Sequence, residues 1–158
     1  MGVRWFYNLI IGLYWLKICV GIYFYIAPKI KICINTHVTN KIVQEAINKG
    51  SIKELKNFNI IRPEKKFGEN TRFDFFLLNK VTNKKAFLEV KSVSLQRKNY
   101  HAEFPDSVTS RGKKHLENLV IANKQGYESY LFFLIQIEKC KSFAIASDID
   151  PEYFKVFN

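Results

Sequence analysis

Cysteine is scarce: Cys19, Cys33 and Cys140 are the whole complement, an odd number with no C-x-x-C pair. That excludes a zinc ribbon and a disulfide framework, and it reads as reduced thiols in the cytoplasm. His37, His101 and His115 are scattered, without metal-ligand spacing. The chain has no Walker loop, no G-x-G-x-x-G and no G-x-S-x-G. Nucleotide-cradling and serine-hydrolase chemistry therefore lack their motifs, and no small-molecule cofactor is expected. Acidic residues are also few, 14 against 25 Lys and Arg, for a net charge of +11.

That excess selects an anionic partner, nucleic acid or a membrane surface. Part of it follows from a composition rich in Lys, Asn, Ile and Phe, as AT-rich coding sequence gives. With 47% hydrophobic and 15% aromatic residues in 158, the chain can bury one real core and is no disordered tail.

Residues 1–32 differ from the rest. Trp5 to Ala27 is almost wholly apolar, interrupted by Asn8 and Lys17, and long enough for a bilayer span. Lys17 near its middle would cost about 2.5–3.5 kcal/mol on insertion. The small-residue cleavage site of a signal peptide is missing. Three readings stay open: a membrane anchor making contact through residues 5–27, buried elements of the globular fold, or an atypical, truncated amino terminus. Residues 33–158 form the second unit.

The chemistry concentrates in two runs, Arg72-Phe73-Asp74-Phe75-Phe76-Leu77-Leu78 and Phe87-Leu88-Glu89-Val90-Lys91. Both read as strands, joined by a polar connection. Side chains alternate along a strand, so Glu89 and Lys91 share one face and Val90 takes the other. Asp74 within an apolar run is costly unless something pairs with it. Paired as a hairpin, the runs bring Asp74 to the Glu89/Lys91 face. Two carboxylates and one ammonium suit a hard divalent cation such as Mg2+, with the Val90 carbonyl as an extra ligand. This D…(E)xK pattern resembles restriction-endonuclease-like nucleases. A surface hairpin with a solvated Glu–Lys pair is the competing reading.

Around it, Thr36 or Thr39 caps a helix to about Asn48, stopped by Gly50. Glu45 at the edge of its apolar stripe is a candidate third acidic ligand or a solvated glutamate. Ile60 to Pro63 reads as an edge strand or loop. Phe104-Pro105-Asp106-Ser107 signals a helix from about Ser107 to Lys124, with Val108, Gly112, Leu116, Leu119 and Val120 inward. Arg111, Lys113, Lys114 and His115 on that helix, with Arg72, are the candidate nucleic-acid contacts. Gly112 would admit another backbone or a phosphate. Tyr130 to Gln136 reads as a buried parallel strand, with Gln136 either poised for water or phosphate near the site or simply facing solvent at the strand end. Phe143 to Ala146 adds an edge strand, and Asp150-Pro151-Glu152 opens a last helix. The sum is an α/β fold, a mixed sheet flanked by helices.

Several runs together resemble one family. They are Asn35-Thr36-His37 with Asn40, Arg72 to Phe75, Leu88 to Leu95, Phe104 to Leu116, and Asp148 to Tyr153. They resemble the sugar fermentation stimulation protein family across about residues 33–156. The resemblance implies a restriction-endonuclease-like, PD-(D/E)xK core and DNA binding without marked sequence preference, linked to regulation of sugar catabolism. A Mg-dependent nuclease using Asp74, Glu89 and Lys91 is the alternative. A membrane-attached or degraded member without activity is another. The family's acidic and lysine positions fall on Asp74, Glu89 and Lys91; Glu45, Arg111, Lys114, His115 and Gln136 are carried over with them. The resemblance also implies a small OB-like barrel ahead of the Asn-Thr motif, for which residues 1–32 are too short and too apolar. It implies a further strand beyond the last helix.

Overall fold

Runs of Phe, Leu, Val and Ile dominate the middle of the chain, and they assemble into the sheet that carries everything else. The computed structural model describes residues 3–8, 23–25, 30–69 and 71–158. Its strands are β1 (Arg4–Asn8), β2 (Tyr23–Tyr25), β3 (Lys31–Cys33), β4 (Ile60–Phe67), β5 (Thr71–Leu78), β6 (Lys85–Val93), β7 (Leu95–Lys98), β8 (His101–Phe104), β9 (Glu128–Ile135) and β10 (Ser142–Ile145). The α-helices among the described residues are α1 (Thr39–Asn48), α2 (Ser110–Lys124) and α3 (Pro151–Phe157).

The main sheet has five strands in the order β1-β9-β6-β5-β4. β9 runs parallel to both β1 and β6, while β5 is antiparallel to β6 and to β4. The sheet is therefore mixed, with a parallel centre and a hairpin flank. A three-stranded sheet, β10-β8-β7, and the β2–β3 pair complete the described strands.

Both faces of the main sheet are covered, which explains why β9 reads as a continuous apolar run. On one face Phe75, Leu77, Leu88, Val90, Phe132 and Leu134 pack with Ile42, Val43 and Ile47 of α1. On the other, Phe73, Phe87, Leu131 and Phe133 pack with Leu116 and Leu119 of α2 and Tyr153 of α3. Each Phe or Leu fully buried in this way stabilises the fold by about 1.5–3 kcal/mol. Phe73 and Phe75 fall into opposite cores, so the strict alternation of β5 breaks at Asp74.

Several expectations need correction. α2 begins at Ser110, capped by the Thr109 hydroxyl, which accepts the Gly112 N–H at 3.0 Å. Val108 lies before the helix and is 74% exposed, not inward. Gly112 makes room for that cap: a Cβ there would meet the Thr109 side chain at 2.8 Å. Neither Thr36 nor Thr39 caps α1; Asn35 caps a short 3-10 turn, Thr36–Val38, that runs into it. Cys33 is disulfide-bonded, against the expectation of reduced thiols, while Cys140 is a free buried thiol. The last helix is as expected, with Asp150 accepting the Tyr153 N–H at 2.9 Å.

Most of the apolar run from Trp5 to Ala27 lies outside the described residues. Within it, residues 5–8 belong to β1 and residues 23–25 form β2. Strands β1 and β3 thus join the described part of the first 32 residues to the rest: β1 pairs with β9, and the Glu138 N–H donates to the Lys31 carbonyl at 2.9 Å. Among the described residues no helix is long and apolar enough to cross a membrane.

Candidate functional site

The β5–β6 ladder holds as far as Phe75 opposite Leu88. One position further, the strands part, and the Asp74 side chain fills the gap. Its Oδ2 accepts the Val90 N–H at 2.7 Å, and its Oδ1 accepts the Asn40 amide of α1 at 2.8 Å. A side chain so placed satisfies a strand N–H that has lost its backbone partner.

Glu89 sits across from it on β6 and is only 4% exposed. Its Oε1 accepts the Lys91 ammonium at 2.8 Å and also the Nδ1–H of His115 from α2. Its Oε2 is buried and has no hydrogen-bond partner among the described residues. Asp74, Glu89 and Lys91 therefore meet, as the hairpin reading expected.

The electrostatics differ between the two carboxylates. Burial, reinforced by the charge of Glu89, pushes the Asp74 carboxyl above its ordinary range, against the Val90 N–H, Asn40 and Lys91. Burial acts on Glu89 in the same sense, but the hydrogen bonds and charges of His115 and Lys91 outweigh it and hold that carboxyl below its ordinary range. Glu89 is thus the settled anion of the pair, while burial, and then its neighbour's charge, oppose ionisation of Asp74.

Glu45 does not join them. It ion-pairs with Lys49 one turn along α1 at 2.7 Å, half exposed. Among the described residues no three His, Cys, Asp or Glu side chains gather to hold a metal. The acidic part of the site is the Asp74–Glu89 pair.

Gln136 is buried behind the site. Its amide donates to the Thr39 hydroxyl at 3.1 Å and to the Ser92 hydroxyl, the chain neighbours of Asn40 and Lys91. It braces α1 against the end of β6 and does not face solvent. Sequence reasoning gave Asn40 no role. Its place in the Asn35-Thr36-His37…Asn40 run was the available signal.

The candidate basic contacts separate by their partners. Arg72 is exposed and pairs with Glu64 at 2.9 Å; Lys113 pairs with Glu152 at 2.8 Å. Arg111 and Lys114 are exposed and ion-pair with no described residue. His115 is taken up by Glu89. Lys114 lines an open cavity of about 470 Å³ with Thr71, Asn118 and Gln125.

Residues 37–158 match the family model described as "Sugar fermentation stimulation protein RE domain". A sugar fermentation stimulation protein homolog from Pelagibacter ubique is 48% identical over 122 residues, 77% of this chain and 52% of that one. The homolog from Agrobacterium fabrum is 44% identical over 124 residues, 78% of this chain and 52% of that one. The chain spans about half the length of the curated relatives it matches. A solved structure titled "The structure of Pyrococcus Furiosus SfsA in complex with Ca2+" shares the fold at a TM-score of 0.72 and 24% identity, over 80% of this chain and 53% of that one.

Proposed function

Since the chain belongs to the sugar fermentation stimulation protein family, we propose that it is a DNA-binding domain with a restriction-endonuclease-like core. It holds the phosphate backbone largely without regard to base sequence, and its carboxylate pair takes a divalent cation beside that backbone. A role in regulating sugar catabolism would follow from DNA occupancy.

The observation that carries this reading is the meeting of Asp74, Glu89 and Lys91 where β5 and β6 part. A buried carboxylate oxygen without a partner, Glu89 Oε2, is expensive unless something positive completes it. The Asp74 carboxyl, pushed up by burial and then by the charge of Glu89, has the same remedy. Both fit Mg2+ or Ca2+, which prefer oxygen ligands, and the relative of similar fold is described with Ca2+. Asp74 and Glu89 would hold the ion. When bound, it would neutralise the pair, polarise a phosphate oxygen and acidify water. Arg111 and Lys114, free of ion pairs with described residues, would meet phosphates as point contacts. The net charge of +11 favours such an anionic track.

A second reading, metal-dependent phosphodiester hydrolysis, is favoured by Lys91. Its ammonium stands on the carboxylate pair at 12% exposure. There it can meet the charge that develops on an attacked phosphate. Gel retardation over a salt series, with Mg2+ or Mn2+ cleavage on the same preparation, tests both. Retardation that weakens with salt is expected; none at low salt overturns the binding reading. Metal-dependent cutting that persists unchanged in Glu89→Ala removes the hydrolytic one.

A further inference from the structure

We propose that His115 is a positioning residue for the cation site, holding the Glu89 carboxylate so that Oε2 faces the ion, and is no phosphate contact. The inference rests on the reading of the Asp74–Glu89 pair given above and deepens it.

Glu89 Oε1 receives two donors, the Lys91 ammonium and His115 Nδ1, while Oε2 receives none among the described residues. A carboxylate accepts and does not donate, so Nδ1 carries the proton. With both donors on one oxygen, the other is left to a ligand. The two donors are not equivalent. Lys91 lies two residues along the same strand, on a flexible stem that can swing to a phosphate. His115 comes from α2, its ring set edge-on to Phe73 at a 6.5 Å centroid distance and its side chain, like that of Lys91, only 12% exposed. A planar ring on a short stem, it is the stiffer donor of the two. When Lys91 turns to a phosphate, His115 alone keeps Glu89 in its orientation. Second-layer donors of this kind tune metal ligands elsewhere.

The test uses the full chain, folded by circular dichroism, with Mn2+ affinity from calorimetric titration and Ca2+-induced thermal stabilisation as readouts. His115→Ala should weaken Mn2+ binding about 10–100-fold. Asn places an amide near the Nδ1 position and Gln near Nε2. His115→Asn should therefore restore binding, and His115→Gln should not. Unchanged affinity in His115→Ala overturns the positioning role and leaves the cation site standing. Equal effects of Asn and Gln overturn the assignment to Nδ1. If the unsubstituted chain binds neither ion, the reading of the site fails, and this inference with it.

Discussion

The Asp74 carboxylate accepts the backbone N–H of Val90 at 2.7 Å, one position past the last hairpin pair, Phe75 and Leu88. A side chain thus replaces a ladder bond, and the strands can part without orphaning the amide. The parting creates room for the site.

Removing that acceptor should cost stability. Asp74→Ala leaves the Val90 N–H and the Asn40 amide unpaired, a loss of about 1–3 kcal/mol, reduced by relief of the repulsion with Glu89. Asp74→Asn keeps one accepting oxygen and should lie between. Urea denaturation midpoints rank the three; an Asp74→Ala chain at least as stable as the original contradicts the account.

Acid should loosen the α3 end of the molecule. Arg97 forks between Glu103, at 2.6 and 2.8 Å, and Asp148. The guanidinium hydrogen bonds hold Asp148 down at about 2 and Glu103 below its ordinary range. Both folded-state values lie below the unfolded ones. Their contribution is therefore present above about pH 4.5 and is lost as pH falls toward 2. Melting temperature against pH should drop across that window, and more shallowly in Arg97→Met. Asp74, with its carboxyl raised, acts in the opposite sense and blunts the drop. Parallel curves for the two chains would rule the network out as the cause.

Ion pairing within the chain should rank the DNA contacts. Lys114→Ala should lower the slope of log affinity against log salt by about 1, and Arg111→Ala likewise. Lys113→Ala should change it less, because Glu152 already holds that ammonium at 2.8 Å. Retardation at several salt concentrations measures this; an effect of Lys113 equal to that of Lys114 would refute the ranking.

Tyr153 is fully buried, and its hydroxyl has no hydrogen-bond partner among the described residues. Burial, with the charges of Glu89 and Asp150, pushes the phenol above its ordinary range, so it stays protonated. Tyr153→Phe removes an unsatisfied polar atom and keeps the ring against Phe104 at 5.4 Å. Thermal stability should hold or rise. A fall of about 1 kcal/mol or more would mean that the hydroxyl has a partner of its own.

Sequence by itself determined what neighbouring positions dictate. Alternation put Glu89 and Lys91 on one face, the apolar run of β9 announced a strand covered on both sides, and Asp150 before Pro151 marked the start of α3. These follow from covalent geometry, where side-chain direction repeats with the chain. Only the tertiary structure decided which distant groups complete the site. Asn40 reaches Asp74 across 34 residues and His115 reaches Glu89 across 26, while Glu45 turns to Lys49 and Gln136 is buried as a brace. Those choices depend on how α1 and α2 pack on opposite faces of one sheet. No local periodicity encodes that packing, because it is set by the shapes of two cores built from remote segments.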